Sequence, residues 1–223
     1  MQYPKIRTIF NRDENHKVRV GDWSRPEFAC LAKAEWIWTE KVDGTNIRAY
    51  FSPEFPDKVR IMGRREESAL PKKWLEAIEK CIDMGRFSEI FSREFGEGAR
   101  VVLYGEGYGG DIQASGKLYS SEYGFVLFDI LNQAPPKARW LSREELTTIA
   151  EKLRLDVVPE VLRGNIHQAI DMARYGFFSC WGKFYAEGLV GVPSAQLFDA
   201  EGNRIICKIK TRDFRESAGR SLQ

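Results

Sequence analysis

Apolar alternation with a period of two recurs along this 223-residue chain, and that pattern restricts it to folds built on sheets. It shows, or β-branched and aromatic residues gather, at Glu35–Trp38, Ile47–Phe51, Val59–Gly63, Val101–Gly105, Tyr123–Ile130, Gly188–Phe198 and Arg204–Lys210. Helical spacing interrupts the series at Lys72–Met84, where Leu75, Ile78 and Ile82 recur, at Ser142–Leu153 and at Ile166–Tyr175. In the second of these Ser142 and Glu145 have the spacing of a capping box, ahead of a stripe of Leu146, Ile149 and Leu153. Strand groups interrupted by helices predict an α+β domain of mainly antiparallel sheets flanked by helices. The Ala134–Pro135–Pro136 turn and the Gly-rich Gly105–Gly110 segment read as loops inside it. With no linker, repeat or low-complexity tract, one domain over residues 1–223 is expected.

The composition removes several kinds of chemistry. No apolar run of membrane-spanning length exists, and the opening MQYPKIRTIFNRDENHK has no apolar core of a signal peptide, so a cytoplasmic protein without a membrane partner is expected. Cys30, Cys81, Cys180 and Cys207 form no CxxC pair, which leaves zinc and disulfide frameworks unsupported and predicts buried free thiols. His16 and His167 stand in unrelated contexts. Strong chemistry therefore falls to Lys, Arg, Asp and Glu. A net charge of +2 is too small to announce a nucleic-acid binder, but the charge is unevenly spread. Between Arg204 and Arg220 six basic residues face two acidic ones, Asp213 and Glu216.

The most informative stretch runs from Trp36 to Phe51, where Lys41–Val42–Asp43–Gly44–Thr45–Asn46 separates two strand-like segments. Asp-Gly is a strong turn signal, so a plain hairpin accounts for Asp43 and Gly44. It does not account for a lysine between apolar strands. This segment resembles the KxDG signature of the covalent nucleotidyltransferases, in the KxDGTN form of one RNA ligase branch. Five further elements follow in that family's order: Gly63–Arg64–Arg65, Tyr104–Gly105–Glu106, Phe128–Asp129, Glu187–Gly188–Leu189–Val190 and Lys208–Ile209–Lys210. Each alone could be an ordinary strand or surface position, but together they reproduce an order that chance does not supply.

The resemblance implies an ATP-grasp-like nucleotidyltransferase domain, reduced to the catalytic part, that uses ATP and Mg²⁺, or Mn²⁺ in its place. Lys41 would be the nucleophile that takes AMP, with Lys208 and Lys210 as its catalytic partners. Glu187 would hold the metal, and Phe128 would stack on adenine. Glu106 and Asp43 would hold the ribose and reactive centre, Arg64 the ribose or the RNA end, and Asn46 the RNA ends or phosphate. Glu40 and Thr39 would offer backbone groups to the base. Lys208 and Lys210 alternate on a strand and so share one face, the expected floor of the nucleotide pocket. A free lysine has a pKa near about 10.4, so Lys41 needs neighbouring cations and burial to become nucleophilic.

The expected partner is RNA with 5′-phosphate and 3′-hydroxyl ends, free or in a nicked duplex. Thirteen residues follow Lys210, which leaves no room for the OB-fold or helical domain that relatives carry after the catalytic domain and suggests an accessory partner. The first forty residues would complete the domain. Alternatives are a nucleotidyltransferase acting on DNA ends or using GTP, and a non-catalytic nucleotide- or RNA-binding relative.

Overall fold

The computed structural model describes residues 2–55, 58–65, 70–133 and 138–215. In chain order the strands are β1 (Arg7–Thr8), β2 (Phe10–Arg12), β3 (Val18–Trp23), β4 (Trp36–Glu40), β5 (Thr45–Phe51), β6 (Arg60–Met62), β7 (Val101–Tyr108), β8 (Gly124–Asn132), β9 (Arg139–Trp140), β10 (Glu160–Gly164), β11 (Gly188–Pro193) and β12 (Cys207–Lys210). The helices are α1 (Pro26–Cys30), α2 (Lys72–Lys80), α3 (Met84–Phe95), α4 (Gly116–Tyr119), α5 (Arg143–Leu153), α6 (Ile166–Tyr175) and α7 (Arg212–Arg215). This is the α+β arrangement that the patterning predicts. The chain divides into two compact units, Met1–Tyr3 with Asp43–Val158, and Pro4–Val42 with Pro159–Gln223. One division falls inside the Lys41–Gly44 motif, between Val42 and Asp43.

The unit that begins at Asp43 is built on an antiparallel sheet of order β6-β5-β7-β8-β9. Alternation on β5 and β7 turns Ile47, Ala49, Phe51, Val101 and Leu103 to one face, where they pack with Phe87 and Phe91 of α3 and Leu146, Ile149 and Leu153 of α5. Each of these side chains larger than alanine, taken fully out of water, contributes about 1.5–3 kcal/mol. The capping box of α5 forms as its sequence predicts: the Glu145 N–H donates to Ser142 Oγ and the Ser142 N–H to the Glu145 carboxylate.

The other unit holds a sheet of order β1-β12-β11-β4-β10 and a β2-β3 pair. Only β1 and β12 run parallel among these pairings. Trp36 and Trp38 of β4, stacked with ring centroids 5.5 Å apart, join Leu189, Cys207 and Ile209 beneath Ile166, Ala169, Ile170 and Ala173 of α6. The N-terminal residues complete this unit as β1, β2, β3 and α1.

Several expectations change. The helix expected over Lys72–Met84 ends at Lys80, and Met84 opens α3, because Asp83 caps a new helix by accepting the Arg86 N–H. β7 continues through Gly105 to Tyr108, so the turn begins only at Gly109. β11 stops at Pro193, short of Phe198, and β10 had no clear alternating pattern to announce it. Cys207 alone is buried, and burial pushes its thiol up. Cys30 closes α1, Cys81 caps the end of α2 and Cys180 lies in a turn, all exposed. The hairpin reading of Asp43–Gly44 fails outright, since β4 pairs with β10 and β11 while β5 pairs with β6 and β7. The Ala134–Pro135–Pro136 turn, Glu216 and Arg220 lie outside the described residues. Among the described residues no helix is long and apolar enough to cross a membrane.

Candidate active site

Lys41 stands one residue past β4, and two backbone hydrogen bonds decide what surrounds it. Its N–H donates to the Gly188 carbonyl at 2.8 Å, and the Thr211 N–H donates to the Glu187 carbonyl at 2.9 Å. The Glu187–Gly188 peptide is thereby tied to the ends of both β4 and β12. A Cβ on Gly188 would lie 2.0 Å from the Ile209 carbonyl oxygen, so the approach demands glycine, which explains the second letter of the Glu187–Gly188 element.

These ties bring three charged side chains together. Lys41 Nζ donates to Glu187 Oε2 at 2.5 Å and Lys210 Nζ to Glu187 Oε1 at 2.7 Å. All are mostly buried, with side-chain exposures of 23% for Lys41, 15% for Glu187 and 18% for Lys210. Burial is the largest influence on the Glu187 carboxyl and works to raise it. The Lys41 charge and the hydrogen bonds from Lys210 and Lys41 outweigh burial, and the carboxyl is held below its ordinary value. On β12, Cys207 and Ile209 are buried while Lys208 and Lys210 are partly exposed, the alternation expected from sequence. Thr39 and Val190 lie in register with Lys208 across β4 and β11. The sequence placed cations around Lys41; the structure adds an anion between two of them.

Glu40 has a side-chain role that the sequence did not indicate. Its side chain is 1% exposed and accepts from Ser179 Oγ at 2.6 Å and the Cys180 N–H at 2.8 Å. The residue expected to offer backbone groups thus has an internal task, holding the turn that precedes Glu187. Its own N–H donates to the Pro159 carbonyl.

Asp43, Asn46, Arg64, Glu106 and Phe128 belong to the other unit. Asp43 is held at both ends: its N–H donates to the Tyr119 hydroxyl at 3.0 Å and its Oδ2 accepts from Ser115 Oγ at 2.5 Å. Gln113 Nε2 donates to the Gly44 carbonyl at 3.1 Å. A Cβ on Gly44 would meet the Gly107 carbonyl oxygen at 2.2 Å, so this glycine is needed for backbone approach to β7 rather than for a hairpin. Gln113, Ser115 and Tyr119 went unnoticed in the sequence, because their only signal is a common polar residue far from the motif.

Asn46 faces Glu106 across β5 and β7, and its Oδ1 is buried without a hydrogen-bond partner. Two residues on, and on the same face, Arg48 is fully buried. Its Nε donates to the Gly63 carbonyl at 2.9 Å, while Nη1 and Nη2 have no hydrogen-bond partner among the described residues. Arg48 was also overlooked, since an arginine in an alternating strand normally reads as the solvent side. Arg64, one residue past the carbonyl that Arg48 holds, is exposed. A β-bulge puts Phe128 and Asp129 on one face: Tyr104 pairs with Asp129 and Gly105 with Leu127, leaving Phe128 as the extra residue. Its neighbours Leu127 and Ile130 enter the helix-covered core, but Phe128 turns to the opposite face and meets Tyr3 edge-on at 5.1 Å. Tyr3 also donates to Asp129 Oδ2 at 2.7 Å.

Among the described residues no group of three or more His, Cys, Asp and Glu side chains could cage a metal. Glu187 is the carboxylate bonded to Lys41 Nζ, and one carboxylate suits a cation such as Mg²⁺, which keeps waters and shares phosphate oxygens.

Solved structures with this fold include Naegleria gruberi RNA ligase mutants with AMP and Mn, at TM-score 0.64 and 18% identity over 96% of this chain and 63% of that one, and with ATP and Mn, at 0.64 and 19% over 96% and 64%. The same ligase with PPi matches at 0.63 and 18% over 96% and 63%. At this identity the likeness establishes the fold, and the chain spans somewhat under two thirds of those ligases. Comparison with curated proteins yields no match. The sequence profile of the family described as RNA ligase covers residues 34–210, most of the chain and every motif from Lys41 to Lys210, and the chain belongs to that RNA ligase family.

Proposed function

We propose that the protein is an ATP-dependent RNA ligase that takes AMP onto Lys41, passes it to an RNA 5′-phosphate and joins that end to a 3′-hydroxyl. The observation that carries this reading is the Lys41–Glu187–Lys210 cluster, an amine nucleophile held at the end of a strand with a second ammonium group on the same carboxylate. In the first step Lys41 Nζ attacks the α-phosphorus, a P–N bond forms, and the bond from the α-phosphorus to the bridging oxygen breaks as pyrophosphate leaves. For this Nζ must part from Glu187 Oε2 and give up a proton to water. Lys208 and Lys210 face the phosphate oxygens and stabilise their charge from fixed positions. AMP then moves to the 5′-phosphate oxygen, freeing the Lys41 amine, and the 3′-hydroxyl oxygen displaces AMP to form the phosphodiester.

Glu187 would hold a divalent cation, which would supply further positive charge to stabilise the phosphate oxygens. Phe128 offers its ring to the adenine, and Glu106, Asp43, Asn46 and Arg64 are assigned to the ribose and RNA ends. Support comes from the family membership, from the turning of Phe128 away from the helix-covered core and from Asn46 Oδ1, buried with no hydrogen-bond partner among the described residues.

The test is incubation with α-labelled ATP and Mg²⁺, followed by a denaturing gel. Wild type retains label and Lys41→Ala retains none; excess unlabelled GTP does not compete. Folded, AMP-free wild type that takes no label from neutral to mildly alkaline pH overturns the reading. Ligation is then read with 5′-phosphorylated single strands, nicked RNA duplex and RNA–DNA hybrids.

A further inference from the structure

Just before Glu187 the chain makes a short hairpin, and its outer face is aromatic. The Ala186 N–H donates to the Phe177 carbonyl and the Ser179 N–H to the Phe184 carbonyl, which sets Phe178 opposite Tyr185 in an isolated antiparallel bridge. Alternation sends Ser179 and Ala186 inward, where they are buried, and Phe178 and Tyr185 outward. The two rings stack at 5.2 Å between centroids with 15° between their planes, yet Phe178 is 65% and Tyr185 44% exposed. Single exposed apolar residues are ordinary on a protein surface. An ordered, stacked pair is not, because a polar residue at either position would serve a purely structural hairpin equally well.

The hairpin is also fixed. Its turn is gripped by the buried Glu40 carboxylate through Ser179 Oγ and the Cys180 N–H, and the Trp181 N–H donates back to Ser179 Oγ. Glu40 precedes Lys41 directly, and Ala186 precedes Glu187. The ring pair is therefore held to the same strand end that presents the nucleophile. Lys183, exposed in the turn two residues before Tyr185, adds a cation to the same hairpin.

We propose that Phe178 and Tyr185 form a stacking platform for an unpaired nucleobase of the RNA substrate, with Lys183 serving its phosphate backbone. This rests on the RNA ligase reading above and extends it to a residue-level RNA contact. A flat aromatic face accepts any base, so the platform adds affinity without sequence preference. A rigid mount suits an enzyme that must hold a strand end still, since ordering a mobile loop on binding would cost affinity.

Binding of fluorescein-labelled, 5′-phosphorylated single-stranded RNA to the full chain, read by anisotropy, tests this. Phe178→Ala and Tyr185→Ala are each expected to weaken binding by about five- to a hundredfold. Phe178→Leu weakens it comparably, because leucine keeps the apolar surface but has no ring face, whereas Phe178→Trp retains wild-type affinity. RNA carrying 2-aminopurine loses fluorescence on binding wild type and keeps it on binding Phe178→Ala. Binding of blunt RNA duplex is unchanged in all four variants. Affinities within twofold of wild type for both Phe178→Ala and Phe178→Leu overturn the proposal, as does retained affinity in Phe178→Leu alone, which would mark a merely apolar contact. Equal losses for blunt duplex also overturn it. Lys41 labelling, which takes place without RNA, is read in the same variants. Its absence from wild type defeats the adenylation reading, while the RNA-binding series still judges the platform.

Discussion

In the unit that carries Lys41, Glu187 accepts from Lys41 and Lys210, and Glu40 accepts from Ser179 and Cys180. In the unit that carries Asp43, by contrast, Asn46 and Arg48 on β5 keep buried polar atoms without hydrogen-bond partners among the described residues. Both groups adjoin the same six-residue motif, but their energetics differ in sign. A buried carboxylate that receives hydrogen bonds on both oxygens has its desolvation largely offset. A buried guanidinium bonded only through Nε has not, and an unpaired charge in a low-dielectric interior is costly. The charges around Lys41 are thus already paired in the folded protein, while the β5 face is folded at a cost.

Removing one side of a satisfied pair should have the largest effect. Glu40→Ala strands the Cys180 N–H and Ser179 hydroxyl and leaves a void, and urea unfolding is expected to show a loss of about 3–4 kcal/mol. A loss under about 1 kcal/mol would remove Glu40 from the argument. Next comes Gly44→Ala, whose methyl must displace β7 at Gly107. Overpacking of this kind costs about 1–3 kcal/mol, and Lys41 labelling falls with it; wild-type labelling would show that the turn is free to shift.

Arg48→Met has the opposite sign. Deleting the uncompensated charge while keeping an unbranched apolar chain is expected to stabilise the nucleotide-free protein by about 1 kcal/mol. Destabilisation by that amount would mean that the guanidinium is satisfied, and the contrast between the two units would fail.

The smallest effect is an acid slope. Because the Glu187 carboxyl is held below its ordinary value, its pairing stabilises the fold fully above the unfolded carboxylate range. That contribution is lost as pH falls through the lower folded value. Glu187→Gln should therefore lose less stability than wild type as pH is lowered from about 5 towards 3, and parallel acid limbs would contradict the pairing.

Some of this was legible from local spacing. Ser142 with Glu145 announced α5, the α6 limits Ile166–Tyr175 were read correctly, and the one-face placement of Lys208 and Lys210 followed from a period of two. Other features were hidden because they depend on distant strands. Nothing near Asp43 and Gly44 says that β4 and β5 enter different sheets, since turn chemistry is the same in either case. The extra residue in β8 that puts Phe128 and Asp129 on one face is visible only against β7. Glu40 looked like a neighbour of the nucleophile with a backbone role, and its grip on Ser179 and Cys180 crosses about 140 residues.

By itself the sequence determined the residue types, their order from Lys41 to Lys210 and the faces on which alternating side chains lie, because these follow from backbone geometry within a few residues. Tertiary structure alone decided which charges meet. Glu187 became the shared partner of Lys41 and Lys210 because β4, β11 and β12 pair in one sheet, and strand pairing is chosen by packing over the whole unit, which no short window of residues contains.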